Sequence, residues 1–294
     1  MKLGKIGVIN APQTEPISLR CYTGNYRPVT YSPHNQNANN GMMLTFATEA
    51  TSDQQQALTF GSCAVWISGT LHKICLFHDE NLDEKKVDLI RQVGDILQKE
   101  KKCIVTVSTK NEFVTNVFYP YVYEARAKCV GFDLPYELSR IATSWGTARK
   151  IQDAFSIKLV ENNPRLPAIK IKSIRSDAAF IQFATPLRTK SEKKQIPTHK
   201  VYRGYFLDLK TLGYAMSNKS FDGINDVART FGVDADLKSK KGITGDAIRS
   251  NVEKSLTMHN LYCKIISVLQ DAFLIKPNDS NKLYSPASIS KIYL

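Results

Sequence analysis

From position 42 onward the hydrophobic residues fall into short runs whose spacing switches between strand and helix periods. Met42 to Thr48, Ala57 to Ile67 and Leu71 to Phe77 are compact apolar stretches, the last two joined by the turn-forming Ser68-Gly69, and together they predict a meander of three strands. Between Asp83 and Gln98 the pattern changes. Val87, Ile90, Val93, Ile96 and Leu97 recur at helical spacing behind an acidic first turn, which predicts an amphipathic helix laid on the sheet. Cys103 to Val107 predicts a buried strand, Asn111 to Tyr123 an interrupted helix and Ala127 to Phe132 a further strand. The alternation predicts an α/β fold with a mixed sheet flanked by helices.

Two later runs, Ala168 to Ser173 and Ala178 to Phe183, are separated by Ile174 to Asp177 and predict a β-hairpin that interrupts the alternation. Arg188 to Lys200 carries Arg188, Lys190, Lys193, Lys194 and Lys200 with little apolar content, so a basic loop is expected there. Hairpin and loop together form an insertion at about 160–203. A strand over Tyr205 to Leu209, a helix near Gly223 to Phe231 and a long helix from Thr244 to Leu269 follow. The first forty residues, with Pro12, Pro16, Pro28, Pro33 and the polar run His34 to Asn40, have no sustained period and predict an irregular arm. The expected organisation is an arm over 1–40, a main domain over 41–275 and a closing segment over 276–294.

Composition narrows the setting. The 294 residues are 43% hydrophobic, enough for one large core. A surplus of 40 Lys and Arg over 27 Asp and Glu gives a formal charge of +13, which favours polyanionic partners such as nucleic acid or an anionic membrane, against the plainer explanation of solubility. The six cysteines are scattered, without the close Cys-x-x-Cys pairs of a structural zinc site. Cys63, Cys75, Cys103 and Cys129 lie in apolar runs and are expected as buried free thiols, which suits a reducing compartment, the cytoplasm. No stretch of about 18 apolar residues is present, so no membrane association is expected.

The candidate chemistry rests on carboxylates, because two divalent metals that activate water on a phosphodiester require hard oxygen ligands. Glu49 closes the first strand run, where positions 47 and 49 share a face, but position 47 is Ala. Asp133 can cap a helix entered by Pro135, with Glu137 one turn beyond it on the same face. In the long helix, Ile248, Val252, His259, Cys263 and Ile266 form the expected core stripe and Asn251 and Ser255 flank it, while Asp246 and Glu253 point outward. Taken singly, each acid has a plainer explanation: a solvated strand end for Glu49 and an acidic first turn complementing the helix dipole for Asp133 and Glu137. Asp208, in the apolar run Phe206-Leu207-Asp208-Leu209, is expected to be a buried aspartate satisfied by hydrogen bonds, with metal recruitment as the competing role.

Three stretches carry a resemblance: Gly131-Phe132-Asp133-Leu134-Pro135-Tyr136-Glu137-Leu138-Ser139-Arg140-Ile141-Ala142, Tyr202-Arg203-Gly204-Tyr205-Phe206-Leu207-Asp208-Leu209-Lys210-Thr211-Leu212, and Tyr284-Ser285-Pro286-Ala287-Ser288-Ile289-Ser290-Lys291-Ile292-Tyr293-Leu294. With them, the chain from about 42 to 294 resembles the DEDD, or DnaQ-like, 3′–5′ exonuclease domain of DNA polymerase family B-like proteins, in a divergent group associated with mobile elements. The resemblance implies an RNase H-like fold, a closing segment that leads into further domains, and Mg2+ or Mn2+ as cofactor if the domain is active. It also implies where this chain departs from the pattern. Ala47 stands where the first motif has Asp, Glu137 where the second has Asp, Asn251 where the last has its metal-binding Asp, and Ala247 where a Tyr orients the attacking water.

Glu49, Glu137 and Asn251 are therefore the expected remnants of a catalytic and metal site, with Ala47 and Ala247 as its lost positions. Asp133, Lys170, Lys172, Arg188, Lys190, Lys193, Lys194 and Arg203 are the candidate nucleic-acid contacts, interleaved with Phe180, Phe183, Tyr202 and Tyr205 as stacking faces, of which at least one of Phe180 and Phe183 must be core. The expected function is a nucleic-acid-binding, exonuclease-like domain with impaired or absent catalysis, whose partners are single-stranded DNA or another nucleic acid and an attached polymerase domain or subunit. The alternatives are an active metal-dependent 3′–5′ exonuclease on single-stranded DNA, and a protein scaffold that would leave the positive charge without a purpose.

Overall fold

The three predicted strands pair as the sequence pattern demands. In a computed structural model, β1 (Met42–Ala50), β2 (Leu58–Ile67) and β3 (Thr70–His78) form an antiparallel meander, with Met42 opposite Ile67 and Cys63 opposite Cys75. The structure describes residues 41–291 except 149–150, 162, 164, 186–201, 239 and 241, and all of them fall in one compact unit. The expected arm and the whole of the basic loop lie outside the described residues.

Helix α1 (Glu84–Lys101), capped by the Asp83 carboxylate on the Lys85 amide, leads to β4 (Ile104–Thr109), which runs parallel to β3. The interrupted helix is a short α2 (Lys110–Phe113) continued by a π-helical segment, Val114–Glu124, that contains Pro120. Strand β5 (Lys128–Gly131) runs parallel to β1, helix α3 (Leu134–Arg140) follows it, and β10 (Phe206–Asp208) runs parallel to β5. The resulting mixed sheet has the order β10-β5-β1-β2-β3-β4, so the fold is α/β with six strands flanked by helices.

Alternation along the strands separates two cores. Leu44, Phe46, Cys63, Val65, Cys75 and Phe77 face the π-helical segment, where Phe77 and Phe113 stack with ring centroids 4.0 Å apart. Gly61 makes this possible, because a Cβ there would sit 2.3 Å from the Phe77 ring. On the other face, Met43, Ala47, Ile74 and Leu76 meet α1 and the long α6 (Gly245–Phe273), whose Thr244 hydroxyl caps the Ala247 amide. Helices α4 (Leu209–Ser217) and α5 (Ile224–Thr230) extend the same layer.

Three expectations change. The hairpin, β8 (Ile169–Arg175) and β9 (Ala178–Phe183), belongs to a four-stranded antiparallel sheet with β6 (Ser144–Thr147) and β7 (Ala154–Lys158), so the insertion begins near 144 rather than 160. The closing segment is not separate from the main domain. Its 3-10 helix (Pro277–Lys282) and α7 (Pro286–Ser290) pack against the core through Leu283 and Ile289, and Ser280 bonds the Tyr205 hydroxyl at 3.0 Å. The buried stripe of α6 is broader than expected: Ile248, Val252 and Ile266 are buried as the pattern predicts, Asn251, Ser255, Met258, Leu261 and Ile265 are buried with them, His259 is half-buried and Cys263 is exposed. Small polar Asn251 and Ser255 could move inward because Ser62 on β2 receives them, its hydroxyl donating to the Asn251 carbonyl at 3.0 Å and lying 3.3 Å from Ser255 Oγ.

Five described cysteines are free, and Cys103 is half-buried rather than buried. Among the described residues no helix is long and apolar enough to cross a membrane.

Candidate functional site

The three expected remnants meet. Glu49 lies at the end of β1, where the register with β2 shifts between Glu49 and Ala50; Glu137 lies in the first turn of α3; and Asn251 lies in the second turn of α6. Asn251 Nδ2 donates to Glu49 Oε1 at 3.1 Å across 202 positions of sequence. Glu137, only 1% exposed, reaches the same end of β1, where its Oε2 accepts from the Thr48 amide at 2.6 Å and the Thr48 hydroxyl at 2.5 Å.

What occupies the middle of this constellation is a residue outside the expected set. Lys254, one turn beyond Asn251 on α6, places its ammonium 2.8 Å from Glu137 Oε1. Burial pushes the Glu137 carboxyl above the usual carboxylate range, partly offset by Lys254 and Thr48. For Lys254, burial would pull the ammonium down, but the adjoining Glu137 charge outweighs it and holds the group above an ordinary lysine. The two groups form a buried ion pair with each charge matched.

Asp133 shows a parallel arrangement. It stands at the cap position of α3 in a left-handed conformation (φ 56°), yet its side chain makes no capping bond and instead pairs with Lys210 at 3.0 Å. The expected cap is supplied from a distance: Asp208 Oδ1 accepts the Leu134 amide at 3.1 Å while its Oδ2 takes the Thr211 amide and hydroxyl at 3.2 and 2.7 Å. Asp208 is thus the buried, satisfied aspartate the sequence suggested, its pKa raised by burial. Ala47 is fully buried in the core under α6, and Ala247 packs with Phe60, Ile74 and Val93. Both lost positions are filled by hydrophobic packing.

These donors were tested against a divalent metal. Glu137 has both oxygens engaged, one by Thr48 twice and the other by Lys254, and Glu49 is shared with an amide nitrogen. The Asn251 carbonyl oxygen is the one buried side-chain atom of the cluster without a partner. One amide oxygen and the second oxygen of Glu49, beside a lysine ammonium, do not make up the several hard anionic ligands such ions take. Among the described residues no group of three or more His, Cys, Asp or Glu is placed to hold a metal.

The candidate nucleic-acid contacts divide. Lys170 and Lys172 lie on β8, on the face opposite the buried Ile169 and Ile171, in register with Gln182 and Phe180. Phe183 is core, as one of the pair had to be, and Phe180 meets Tyr284 edge-on at 5.5 Å. Tyr202 and Tyr205 are buried and offer no stacking face, because Tyr202 packs with Phe183 in the core on the π-helical side and Tyr205 belongs to the core on the α6 side. Arg203 donates to Thr185 Oγ1 at 3.1 Å. Arg188, Lys190, Lys193 and Lys194 lie outside the described residues. Two side chains outside the expected set stand on α3 beside the cluster: Tyr136, exposed, and Arg140, whose guanidinium lies 4.8 Å from the Tyr136 ring centre and donates to the Gln56 carbonyl. The spacing of Lys254 and Arg140 from Asn251 and Glu137, three residues in each case, was the signal that could have found them.

Comparison with family models, with curated proteins and with solved structures finds no match for this chain.

Proposed function

We propose that this chain is a nucleic-acid-binding domain on an RNase H-like, DnaQ-type scaffold in which an internal lysine has taken the place of the catalytic metals. The observation that carries the reading is the Lys254–Glu137 pair at 2.8 Å, formed where the strand acid Glu49, the helix acid Glu137 and Asn251 converge. A fixed ammonium supplies positive charge without any of the open coordination positions that water activation requires. The acids are neutralised from within, Glu137 by Lys254 and Asp133 by Lys210, so the site does not repel a phosphate backbone as an empty carboxylate cluster would. With a net charge of +13 and Tyr136 exposed on α3, the chemistry favours one polyanionic strand held by phosphate contacts and stacking. Polymerase domains or a polymerase subunit are the proposed further partners, on the resemblance alone.

The alternative reading, residual metal-dependent 3′–5′ trimming of single-stranded DNA, rests on the resemblance alone, since the donors at the cluster do not suit a divalent ion. Labelled single-stranded DNA incubated with and without Mn2+ separates the two. Salt-sensitive binding with intact strands in both conditions is expected; Mn2+-dependent shortening would select the nuclease, and failure to bind at low salt would remove both.

A further inference from the structure

On the exposed side of α6, away from the acid cluster, a thiol and an imidazole face each other. Cys263 Sγ lies 3.7 Å from His259 Nε2, the two residues being one helical turn apart. The imidazole does not swing freely. Its ring stacks on Trp66 at 3.7 Å between centroids and 11° between planes, and the Trp66 indole is itself tethered to Thr45 Oγ1 at 3.4 Å. The other ring nitrogen, Nδ1, faces the Asn260 carbonyl oxygen at 3.4 Å. An amide oxygen only accepts, so Nδ1 carries the hydrogen and the Nε2 lone pair points at sulfur.

We propose that His259 and Cys263 form a surface site for a thiophilic divalent cation of the zinc class. Around a tetrahedral zinc, bonds of about 2.3 Å to sulfur and about 2.0 Å to nitrogen place the two ligand atoms roughly 3.6 Å apart, which is the separation already present. The ion replaces the hydrogen shared between Sγ and Nε2: the S–H bond breaks, its proton passes to water, and Sγ and Nε2 each donate a pair to the metal. Asn260 then serves as the outer-sphere acceptor that metal-bound imidazoles use to fix their tautomer. Cys263 is exposed, so water completes the coordination. The nearest buried cation, Lys128, is held on the inner side of the helix by the Tyr262 hydroxyl at 2.9 Å. The site is independent of the nucleic-acid reading and stands or falls separately.

The test uses the full chain carrying Trp145→Phe, so that Trp66 is the one indole left to report. Cd2+ is titrated while thiolate-to-cadmium absorption and Trp66 fluorescence are followed, and Zn2+ is then used to displace it. One saturable equivalent that quenches Trp66 is expected. Cys263→Ser should abolish the absorption from this equivalent, and His259→Ala should weaken it at least tenfold, about 1.4 kcal/mol. Both variants exchange side chains that are not fully buried, and unchanged circular dichroism shows that they fold. A Cys263→Ser protein that titrates like its parent, or a His259→Ala protein that binds with undiminished affinity, would overturn the proposal.

Discussion

Lys254 and Glu137 are worth more as a pair than either alone. Removing one partner of a buried ion pair leaves an uncompensated charge and costs about 3–5 kcal/mol, whereas replacing both with apolar groups of similar size is near neutral. Lys254→Met should therefore destabilise the fold by roughly that amount, and adding Glu137→Leu should recover most of the loss; denaturant melts of the two singles and the double give the coupling. Titration supplies a second check. Because burial raises the folded pKa of Glu137 above its unfolded value, the folded state holds the proton more tightly, and its contribution to stability is present at low pH and lost as pH rises through the raised pKa. Wild type should lose stability relative to Glu137→Gln as pH climbs from the usual carboxylate range through that point, and a constant difference would contradict the assignment. At this scale the sequence showed the acids but not their partners. Glu49, Glu137 and Asn251 could be picked out because a motif places them, but Lys254 and Thr48 act through a tertiary approach between β1, α3 and α6 that no local pattern records.

The start of α3 depends on β10. Asp208 caps the Leu134 amide from 74 positions away while Asp133, at the cap position itself, turns to Lys210. Asp208→Ala should expose the Leu134 amide, raising its hydrogen-exchange rate and destabilising the protein by about 1–3 kcal/mol, the penalty for orphaning buried donors; Asp133→Ala should leave that amide protected. The elements that sequence pattern located well were those with long, clean periods. The β1–β3 meander, α1, β5 and α6 carry several apolar residues at one spacing, and their ends fell within a few residues of expectation. Strands β6 and β7 were invisible because each is only four or five residues long, too short to establish a period, and each is extended by pairing, β6 with β7 and β7 with β8. The full width of the buried face of α6 was missed for a related reason, since hydrophobic periodicity leaves Asn251 and Ser255 at the flank of the stripe and Ser62 supplies the polar partner that lets them be buried.

For the molecule as a whole, charge distribution is the feature with the most direct consequence. If strand binding draws on Lys170 and Lys172, reversing both to Glu should weaken binding to single-stranded DNA of any sequence and flatten the dependence of log affinity on log salt. Two lost phosphate contacts correspond to a slope change of about 1.4, at about 0.7 per contact for single strands. An unchanged slope would move the interface elsewhere, with Tyr136 and Arg140 as the next surface to alter. The α/β class was legible from the order of strand and helix periods, whereas the pairing of six strands into one sheet was not. The second sheet and the docking of the closing segment were not, because both are decided by contacts between distant parts of the chain, such as Ser280 with Tyr205.

The lysine also constrains the routes open to this sequence under further change. An aspartate at position 47 would be inserted into a packed hydrophobic layer, whereas one at 251 would gain a counter-charge from the ammonium three residues on. Changing position 254 first strands Glu137. Acidic substitutions beside the pair are therefore tolerated only while the lysine stays, and the lysine can be exchanged only together with its acid.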